Sequence, residues 1–302
     1  MVPSRILSLS PAATDILARL GLGGLLIGIT HECPVAEAVQ GATIATVKRR
    51  TAVLAGLGGA PTLEEYLSPY VLAPNVLRQM QPDLIFTEGG TEWLVGGELE
   101  RLASEEVGSP VQVVTLSAGS LADVAQLIRV VCSTVGREAA AEKFIKTYEA
   151  GFKKVAERMH WKIADAKPPV EVLVLADILP MTAGPGWLNE LLGKARAVAH
   201  PDVRPGEYLT WQRLVEVNPD TILLTLHGKT PAETGQVLAD LIQQPELRTL
   251  RAFKSKRIYL VDARNLFLPG PGLAETLEVL VDALHPEAYN NKHIGRGWSE
   301  FF

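Results

Sequence analysis

The sequence lacks several features that would narrow its class at once. No run approaches the roughly 20 apolar residues of a membrane-spanning helix, and the two cysteines among 302 residues support neither a disulfide framework nor a zinc site. The N-terminus carries Arg5 but no long apolar stretch with a small-residue cleavage site, so no secretory leader is predicted. The sequence as given therefore predicts a cytoplasmic protein, or a periplasmic or extracytoplasmic one whose leader is removed or lies upstream.

An excess of positive charge and the common catalytic signatures are also missing. The formal net charge is −5, which disfavours nucleic acid as a partner because phosphate binding needs a concentrated basic surface. There is no Gly-x-Ser-x-Gly elbow and no Gly-Lys-Ser/Thr phosphate loop. Gly21, Gly23 and Gly24 follow a predicted helix rather than precede one, so a dinucleotide fingerprint is not supported. These absences predict a protein that is not an enzyme.

What the sequence does contain begins with a strand–helix–strand pattern near the N-terminus. Residues 6–9 are short and apolar, as in a buried strand, and Ser10 followed by Pro11 is typical of a helix start. The helix ends at Gly21, and residues 25–30 form the second strand. Parallel strands of this kind direct their loops to one edge of the sheet, where open α/β sheets bind ligands.

The second half of the chain repeats this plan. Gln81-Pro82-Asp83 before a strand is echoed by Asn218-Pro219-Asp220 before another, and residues 138–164 contain no proline. The pattern predicts an α/β fold with two Rossmann-like lobes and mostly parallel sheets, bridged by one long helix. We expect an N-terminal lobe at 1–136, the bridging helix at 137–165 and a C-terminal lobe at 166–302.

The order of these motifs resembles the class III substrate-binding proteins of ABC importers, in their cobalamin- and ferric-siderophore-binding branch. The resemblance extends nearly end to end. The segments that carry it are residues 6–17 (ILSLSPAATDIL), 27–33 (IGITHEC), 81–85 (QPDLI), 218–224 (NPDTILL), 261–272 (VDARNLFLPGPG) and 284–287 (LHPE). It implies non-catalytic binding of a metal chelate, cobalamin-like, haem or ferric siderophore, in a cleft between the lobes. It implies no intrinsic cofactor, and delivery of the ligand to a membrane permease.

The resemblance, taken with the strand ends, gives a set of candidate ligand contacts. Backbone N–H groups at the helix start suit a carbonyl or carboxylate of the ligand, although simple helix capping accounts for the same residues. His31 is the candidate for an axial contact to the chelated metal, while a purely structural loop remains an alternative and no direct metal site is predicted. Aromatic and thioether side chains suit a flat chelate, although they also suit ordinary packing. The candidates are Ser10, Pro11, His31, Glu32, Glu88, Trp93, Met181, Trp187, Phe267 and Pro269.

Two departures from the resembling family bear on its partners. Importer-coupled members present a surface glutamate before each Pro-Asp strand, and those positions read Asn75 and Gln212 here. Losing both carboxylates predicts weaker docking to a permease. An intracellular carrier or sensor of metal chelates is therefore an alternative, and an enzyme acting on a cofactor precursor is a second one.

Overall fold

The computed structural model describes most of the chain as two compact units. The described residues are 3–30, 33, 39, 41–44, 46–48, 70–72, 74–89, 97–163, 167–178, 181–226, 229–262 and 266–302. One unit comprises Met1–Ser117 and Ala125–Lys143, and the other comprises Ala118–Val124 and Phe144–Phe302. No helix within these ranges has the length and apolar character needed to cross a membrane.

Among its described residues, the first unit is built on a parallel five-stranded sheet in the order β3-β2-β1-β6-β7. The strands of this half are β1 (Ile6–Ser8), β2 (Leu26–Ile29), β3 (Thr43–Ile44), β4 (Thr46–Lys48), β5 (Tyr70–Leu72), β6 (Leu84–Glu88) and β7 (Gln112–Leu116). The helices are α1 (Pro11–Arg19), α2 (Pro74–Met80), α3 (Gly97–Val107) and α4 (Leu121–Thr134). Strand β1 lies between β2 and β6, with Ser8 opposite Ile29 and Phe86, so its carboxyl end lies at the centre of one sheet edge.

One predicted strand of this unit differs in the structure. From the sequence alone, residues 43–47 predict a single strand, whereas the structure has two short strands there, β3 and β4. Strand β3 continues the parallel sheet beside β2, and β4 pairs antiparallel with β5 in a separate two-stranded sheet. Helix α3 has no counterpart among the predicted elements.

The long proline-free segment forms one helix, α5 (Glu138–Lys162). Its buried side chains recur at three- and four-residue spacing, as expected for a helix with one apolar face; they include Ile145, Tyr148, Val155 and Met159. The division between the two units falls inside this helix, after Lys143. The boundaries at 136 and 165 stay predictions.

The second unit is built on a mixed sheet in the order β11-β9-β8-β12-β13-β14, with β10 also pairing β8. Its strands are β8 (Val170–Ile178), β9 (Met181–Ala183), β10 (Ala197–Ala199), β11 (Tyr208–Leu209), β12 (Ile222–Leu224), β13 (Ile258–Val261) and β14 (Trp298–Glu300). Strands β8, β10, β12 and β13 run parallel, while β9 pairs antiparallel with both β8 and β11, and β14 pairs antiparallel with β13. The mostly parallel α/β fold is confirmed.

Helices cover this sheet and account for the C-terminal part of the chain. They are α6 (Trp187–Lys194), α7 (Trp211–Val217), α8 (Pro231–Leu238), α9 (Pro245–Thr249), α10 (Arg251–Lys254), α11 (Leu273–Leu284) and α12 (Pro286–Tyr289). Helix α8 was not predicted, although Thr230 and Glu233 form a capping box at its start. Strand β14 was also missed. The buried Asp282 carboxylate accepts a hydrogen bond from the Trp298 indole at 2.9 Å, which fixes this strand at the sheet edge.

The two Pro-Asp turns are held in the same way at the amino ends of the two sheets. In the first unit, Arg5 donates to the carbonyls of Met80 and Gln81 at the end of α2. In the second, Arg251 donates twice to the Asn218 carbonyl at the end of α7. Gln81 and Asn218 both have positive φ, 49° and 45°, so each helix ends in a left-handed residue whose exposed carbonyl an arginine satisfies.

Candidate functional site

Polar side chains from separate elements meet at the carboxyl edge of the first unit's sheet. Ser10 follows β1, and Glu88 is the last residue of β6. The Ser10 hydroxyl donates a 2.8 Å hydrogen bond to Glu88 Oε1. Ser10 is fully buried and Glu88 is half-buried. This contact joins two of the predicted ligand-binding residues at the edge where open α/β sheets hold their ligands.

The contact extends into a series of side chains that we call the polar chain, formed by Ser8, Ser10, Thr14, Thr30, Cys33 and Glu88. The Ser8 hydroxyl donates to the Ser10 carbonyl at 2.9 Å. The Thr14 hydroxyl lies 2.9 Å from Ser8 Oγ and 3.0 Å from Cys33 Sγ, and Thr30 Oγ1 lies 3.3 Å from the same sulfur. The polar chain therefore ties the ends of β1, β2 and β6 to helix α1.

Ser8, Thr14, Thr30 and Cys33 were missing from the predicted site. A signal for Ser8 and Thr30 was available, because hydroxyl residues inside or directly after short buried strands must find hydrogen-bond partners once they are buried. Ser8 and Thr14 are 0 % exposed, so a ligand cannot contact their side chains directly. Their role is to orient Ser10 and the start of α1.

Cys33 is a neutral thiol in this setting. Burial is the main reason that its pKa rises to about 11, and the hydroxyls of Thr14 and Thr30 offset part of that effect. A thiol that stays protonated at neutral pH is a poor nucleophile and a poor metal ligand. Cys33 therefore acts as a hydrogen-bonding member of the polar chain.

Part of the backbone hydrogen-bonding capacity at the start of α1 is used within the helix cap. Pro11 has no N–H, and the Ala13 N–H already donates to Ser10 Oγ at 3.2 Å. The Ser10 hydroxyl in turn faces the Glu88 carboxylate. Helix capping is thus established here. The expectation that this end receives a carboxylate or carbonyl of the ligand stays untested, with a negative group already in contact with the cap.

The candidates in the second unit occupy two different environments. Met181 and Trp187 are 4 % and 2 % exposed, which leaves them little surface to offer a ligand. Phe267 and Pro269 are half-buried and lie in the loop between β13 and α11. Met181 also borders an apolar cavity of about 20 Å³. That cavity has room for about one water molecule, so it cannot hold a chelate.

Three of the predicted contacts and one predicted docking position remain to be located. His31, Glu32 and Trp93 lie outside the described residues. Gln212 is exposed on α7, beside Arg213, whose guanidinium lies 3.5 Å from Glu207 and 3.7 Å from Glu216. In the ranges given above, no group of three or more His, Cys, Asp and Glu side chains could hold a metal ion.

Comparison with known proteins gives matches along nearly the whole chain. The family model described as periplasmic binding protein matches residues 6–265. An uncharacterised ABC transporter substrate-binding lipoprotein of Bacillus subtilis, YvrC, is 24 % identical over 289 residues, which is 95 % of this chain and 82 % of that protein.

Solved structures agree in fold. A periplasmic haem-binding protein from Pseudomonas aeruginosa superposes with a TM-score of 0.72 at 19 % identity, covering 94 % of each chain. A possible iron-binding periplasmic solute-binding protein from Staphylococcus epidermidis gives 0.64 at 21 % identity, covering 94 % of this chain and 100 % of the other. At these identities the likeness establishes the two-lobed periplasmic-binding-protein fold and nothing about the ligand.

Proposed function

Since the chain belongs to the periplasmic binding protein family, we propose that it binds an iron-containing chelate, haem or a ferric siderophore, as the substrate-binding component of an ABC importer. Members of this family bind ligands and do not transform them, which confirms the prediction that the protein is not an enzyme. The chelate is a ligand and not a resident cofactor. A cobalamin-like corrinoid is the alternative ligand.

The choice of ligand rests on the relatives. The Pseudomonas aeruginosa structure is of a haem-binding protein, and the Staphylococcus epidermidis one is described as possibly iron-binding. The observation that carries the location is the Ser10–Glu88 contact at the carboxyl edge of the parallel sheet. This contact supports the location because open α/β sheets bind ligands at the carboxyl ends of their strands, often through a few polar groups.

The proposed contacts divide by how directly the structure supports them. Ser10, Pro11 and Glu88 lie together at one strand edge, and Phe267 and Pro269 have partly exposed side chains. Met181 and Trp187 would contact the ligand only through a small exposed area. His31, Glu32 and Trp93 remain proposals from the sequence, with His31 the candidate for an axial contact to the metal.

If the protein serves an importer, we propose an extracytoplasmic location for it and a membrane permease as its partner. The Bacillus subtilis relative is a lipoprotein and the structural relatives are periplasmic, which supports an extracytoplasmic location and delivery to a permease. Asn75 and Gln212 stand where docking glutamates were expected. A chelate carrier or sensor that has lost its importer is therefore the alternative role, and it predicts binding of the same ligands without permease binding.

A titration tests the ligand. The purified protein is titrated with haem, a ferric hydroxamate siderophore, a ferric catecholate siderophore, cobalamin and cobinamide, following the quenching of tryptophan fluorescence. We expect at least one iron chelate to bind with a Kd below about 10 µM, which corresponds to roughly 7 kcal/mol.

The outcomes separate the alternatives. If only a corrinoid saturates the protein, the ligand is the corrinoid and not an iron chelate. No saturation by any of the five compounds would contradict chelate binding altogether. A candidate permease reconstituted with its ATPase subunit then distinguishes an importer component from a carrier. An importer component loaded with its chelate should change the ATPase rate, whereas a carrier that has lost its importer should leave that rate unchanged.

A further inference from the structure

The C-terminal half of helix α5 presents one large aromatic side chain to solvent, that of Trp161. Its side chain is 82 % exposed, whereas Val155 and Met159 on the opposite face of the helix are buried. The ring contact that the structure shows for it is with the adjacent His160, at 5.5 Å between the ring centroids. A single exposed apolar residue is ordinary on a protein surface, so the surroundings of Trp161 decide what it can bind.

The segment around Trp161 is basic, although the chain as a whole is acidic. Residues 153–167 contain two acidic residues, Glu157 and Asp165, the second of which lies outside the described residues. They contain five basic ones, which are Lys153, Lys154, Arg158, Lys162 and Lys167. Over the whole chain the balance is reversed, with 29 Lys and Arg against 34 Asp and Glu. This part of the chain therefore concentrates positive charge on a protein of negative net charge.

Three of these lysines are free to meet a partner. Lys153, Lys154 and Lys162 are exposed, and their ammonium groups have no hydrogen bond or ion pair to another described residue. Lys154 lies seven residues before Trp161, which is two helical turns or about 10 Å along the same face. Lys153 and Lys162 lie to either side of that face. We call residues 153–162 the basic end of α5.

The other two basic side chains fix this part of the chain to the body of the second unit. Arg158 stacks on the ring of Tyr289 at 4.4 Å and donates a 2.8 Å hydrogen bond to the Ala288 carbonyl. Lys167 forms an ion pair with Glu287. The basic end of α5 is therefore held in place, so that Trp161 and the free lysines are presented together.

An aromatic ring among free lysines fits an anionic membrane surface better than a protein partner. The core of a protein interface is depleted of charged residues such as lysine, and α5, all of whose residues are described, exposes no second large apolar side chain beside Trp161. At a membrane surface, in contrast, tryptophan rings lie at the level of the headgroups, and lysines are attracted to anionic lipids.

We propose that the basic end of α5 docks on an anionic phospholipid surface, with Trp161 among the headgroups and Lys153, Lys154 and Lys162 on the lipid phosphates. The negative net charge of the protein opposes contact through its other faces and favours this one. The contact lies in the second unit and uses none of the proposed chelate contacts. It therefore holds the protein at a membrane independently of the chelate.

Co-sedimentation with vesicles tests the proposal. The purified protein is mixed with vesicles of phosphatidylglycerol and phosphatidylcholine in equal parts, or of phosphatidylcholine alone, in about 50 mM salt, where exposed charges are little screened. We expect it to sediment with the anionic vesicles and not with the neutral ones, and to be released in about 0.5 M salt. No sedimentation with the anionic vesicles overturns the proposal.

The variant Trp161→Ala tests the aromatic contact. We expect it to bind the anionic vesicles at least about tenfold more weakly, because the apolar area buried among the headgroups is lost. The matched control is Tyr208→Ala, which removes another aromatic side chain of the second unit that is 53 % exposed, and it should leave the affinity unchanged. Equal binding by Trp161→Ala and the wild-type protein refutes the proposal.

The variant Lys154→Gln tests the charge contact. Its affinity for the anionic vesicles should fall about fivefold, the usual contribution of one lysine at such a surface. The control Lys143→Gln removes the same charge from the same face of α5 about 27 Å from Trp161, beyond the range of screened electrostatics, and should cost about twofold or less. Equal losses in the two variants refute a local contact.

Sedimentation velocity without lipid separates this proposal from a protein partner. If the wild-type protein is a dimer that Trp161→Ala converts to a monomer, the basic end of α5 contacts a second copy of the chain and the lipid assignment is wrong. We expect both proteins to be monomers. The chelate titration stands apart from these results, since it reports on a different part of the molecule.

Discussion

The sheets of the two units end alike on one side and differently on the other. At their amino ends, each Pro-Asp turn is held by an arginine, Arg5 in one unit and Arg251 in the other. At its carboxyl edge, the first sheet ends in the polar chain with the half-buried Glu88, whereas Thr225 and Asp262, which follow β12 and β13 of the second sheet, are almost fully buried. The shared ends serve stability. Among Glu88, Thr225 and Asp262, it is Glu88 in the first unit that has side-chain surface within reach of a ligand.

The largest expected effect tests whether Trp187 is a core residue of the second unit. Trp187→Ala should lower the free energy of unfolding by about 3–5 kcal/mol, because a large buried side chain is lost and a cavity remains. Urea denaturation measures it. Trp161→Ala is the control: its side chain is 82 % exposed at the end of α5, so a change within about 0.5 kcal/mol is expected. A stable Trp187→Ala protein that no longer binds chelate would instead make Trp187 a ligand contact.

The next effect tests whether the two amino ends are equivalent. Arg251→Ala and Arg5→Ala should each cost about 1–2 kcal/mol, because each removes two charge-assisted hydrogen bonds to backbone carbonyls at a helix end. Arg251→Lys should recover only part of the loss, since an ammonium cannot reproduce the two-pronged contact with Asn218. Urea midpoints of the three variants provide the measurement. A loss at only one of the two turns would show that the resemblance between them is superficial.

A smaller effect on stability tests the first carboxyl edge. Ser10→Ala removes the cap of α1 and should cost about 1 kcal/mol. Thr210 caps α7, and its hydroxyl accepts a hydrogen bond from the Arg213 N–H at 3.1 Å. Thr210→Ala should therefore also lower the free energy of unfolding by about 1 kcal/mol. Only Ser10→Ala should also change the affinity for the chelate. Equal affinities in the two variants would remove the functional distinction between the units.

The smallest expected effect is a loss of folding stability at acidic pH, caused by His285 in the second unit. Burial is the main cause that lowers the pKa of His285 below its ordinary value of 6.5, and the charge of Lys167 acts in the same direction. The folded state therefore favours the neutral ring, while the unfolded state takes up the proton below about pH 6.5. Stability should be full above that pH and decline as the pH falls below it. Urea midpoints at pH 7.5, 6.5 and 5.5 measure the decline.

The variant His285→Gln provides the control for this pH dependence. Glutamine keeps a donor for the Ala195 carbonyl, which lies 3.0 Å from His285 Nε2, and does not titrate. Its urea midpoint should change less between pH 7.5 and 5.5 than that of the wild-type protein. An identical decline in both proteins would assign the pH dependence to other groups.

Much of the fold could be predicted because its signals are local. The Ser10-Pro11 start of α1, the Pro-Asp turns and the proline-free run of α5 each depend on a few adjacent residues. The capping box of Thr230 and Glu233 was as local a signal and was overlooked. Strand β14 could not be predicted in this way, because its place depends on the contact between Trp298 and Asp282, 16 residues apart.

The candidate site was predictable only in part, for a related reason. Ser10 and Glu88 were named from their positions at strand ends, but their contact spans 78 residues of chain and depends on the strand order. Thr14 and Cys33 belong to the polar chain only because α1 and the loop after β2 return to the same edge. The burial of Trp187 likewise follows from how α6 packs, which a helix-start position does not reveal.

The central claim is that the chelate binds at the carboxyl edge of the first unit's sheet. Amide hydrogen exchange with and without a bound chelate tests it most directly, using haem or whichever chelate saturates the protein below about 10 µM. The account predicts slower exchange on binding at residues 8–14 and 86–89, where the polar chain meets the start of α1, and unchanged exchange at the two Pro-Asp turns. Saturated protein with no added protection at residues 8–14 and 86–89 would contradict it.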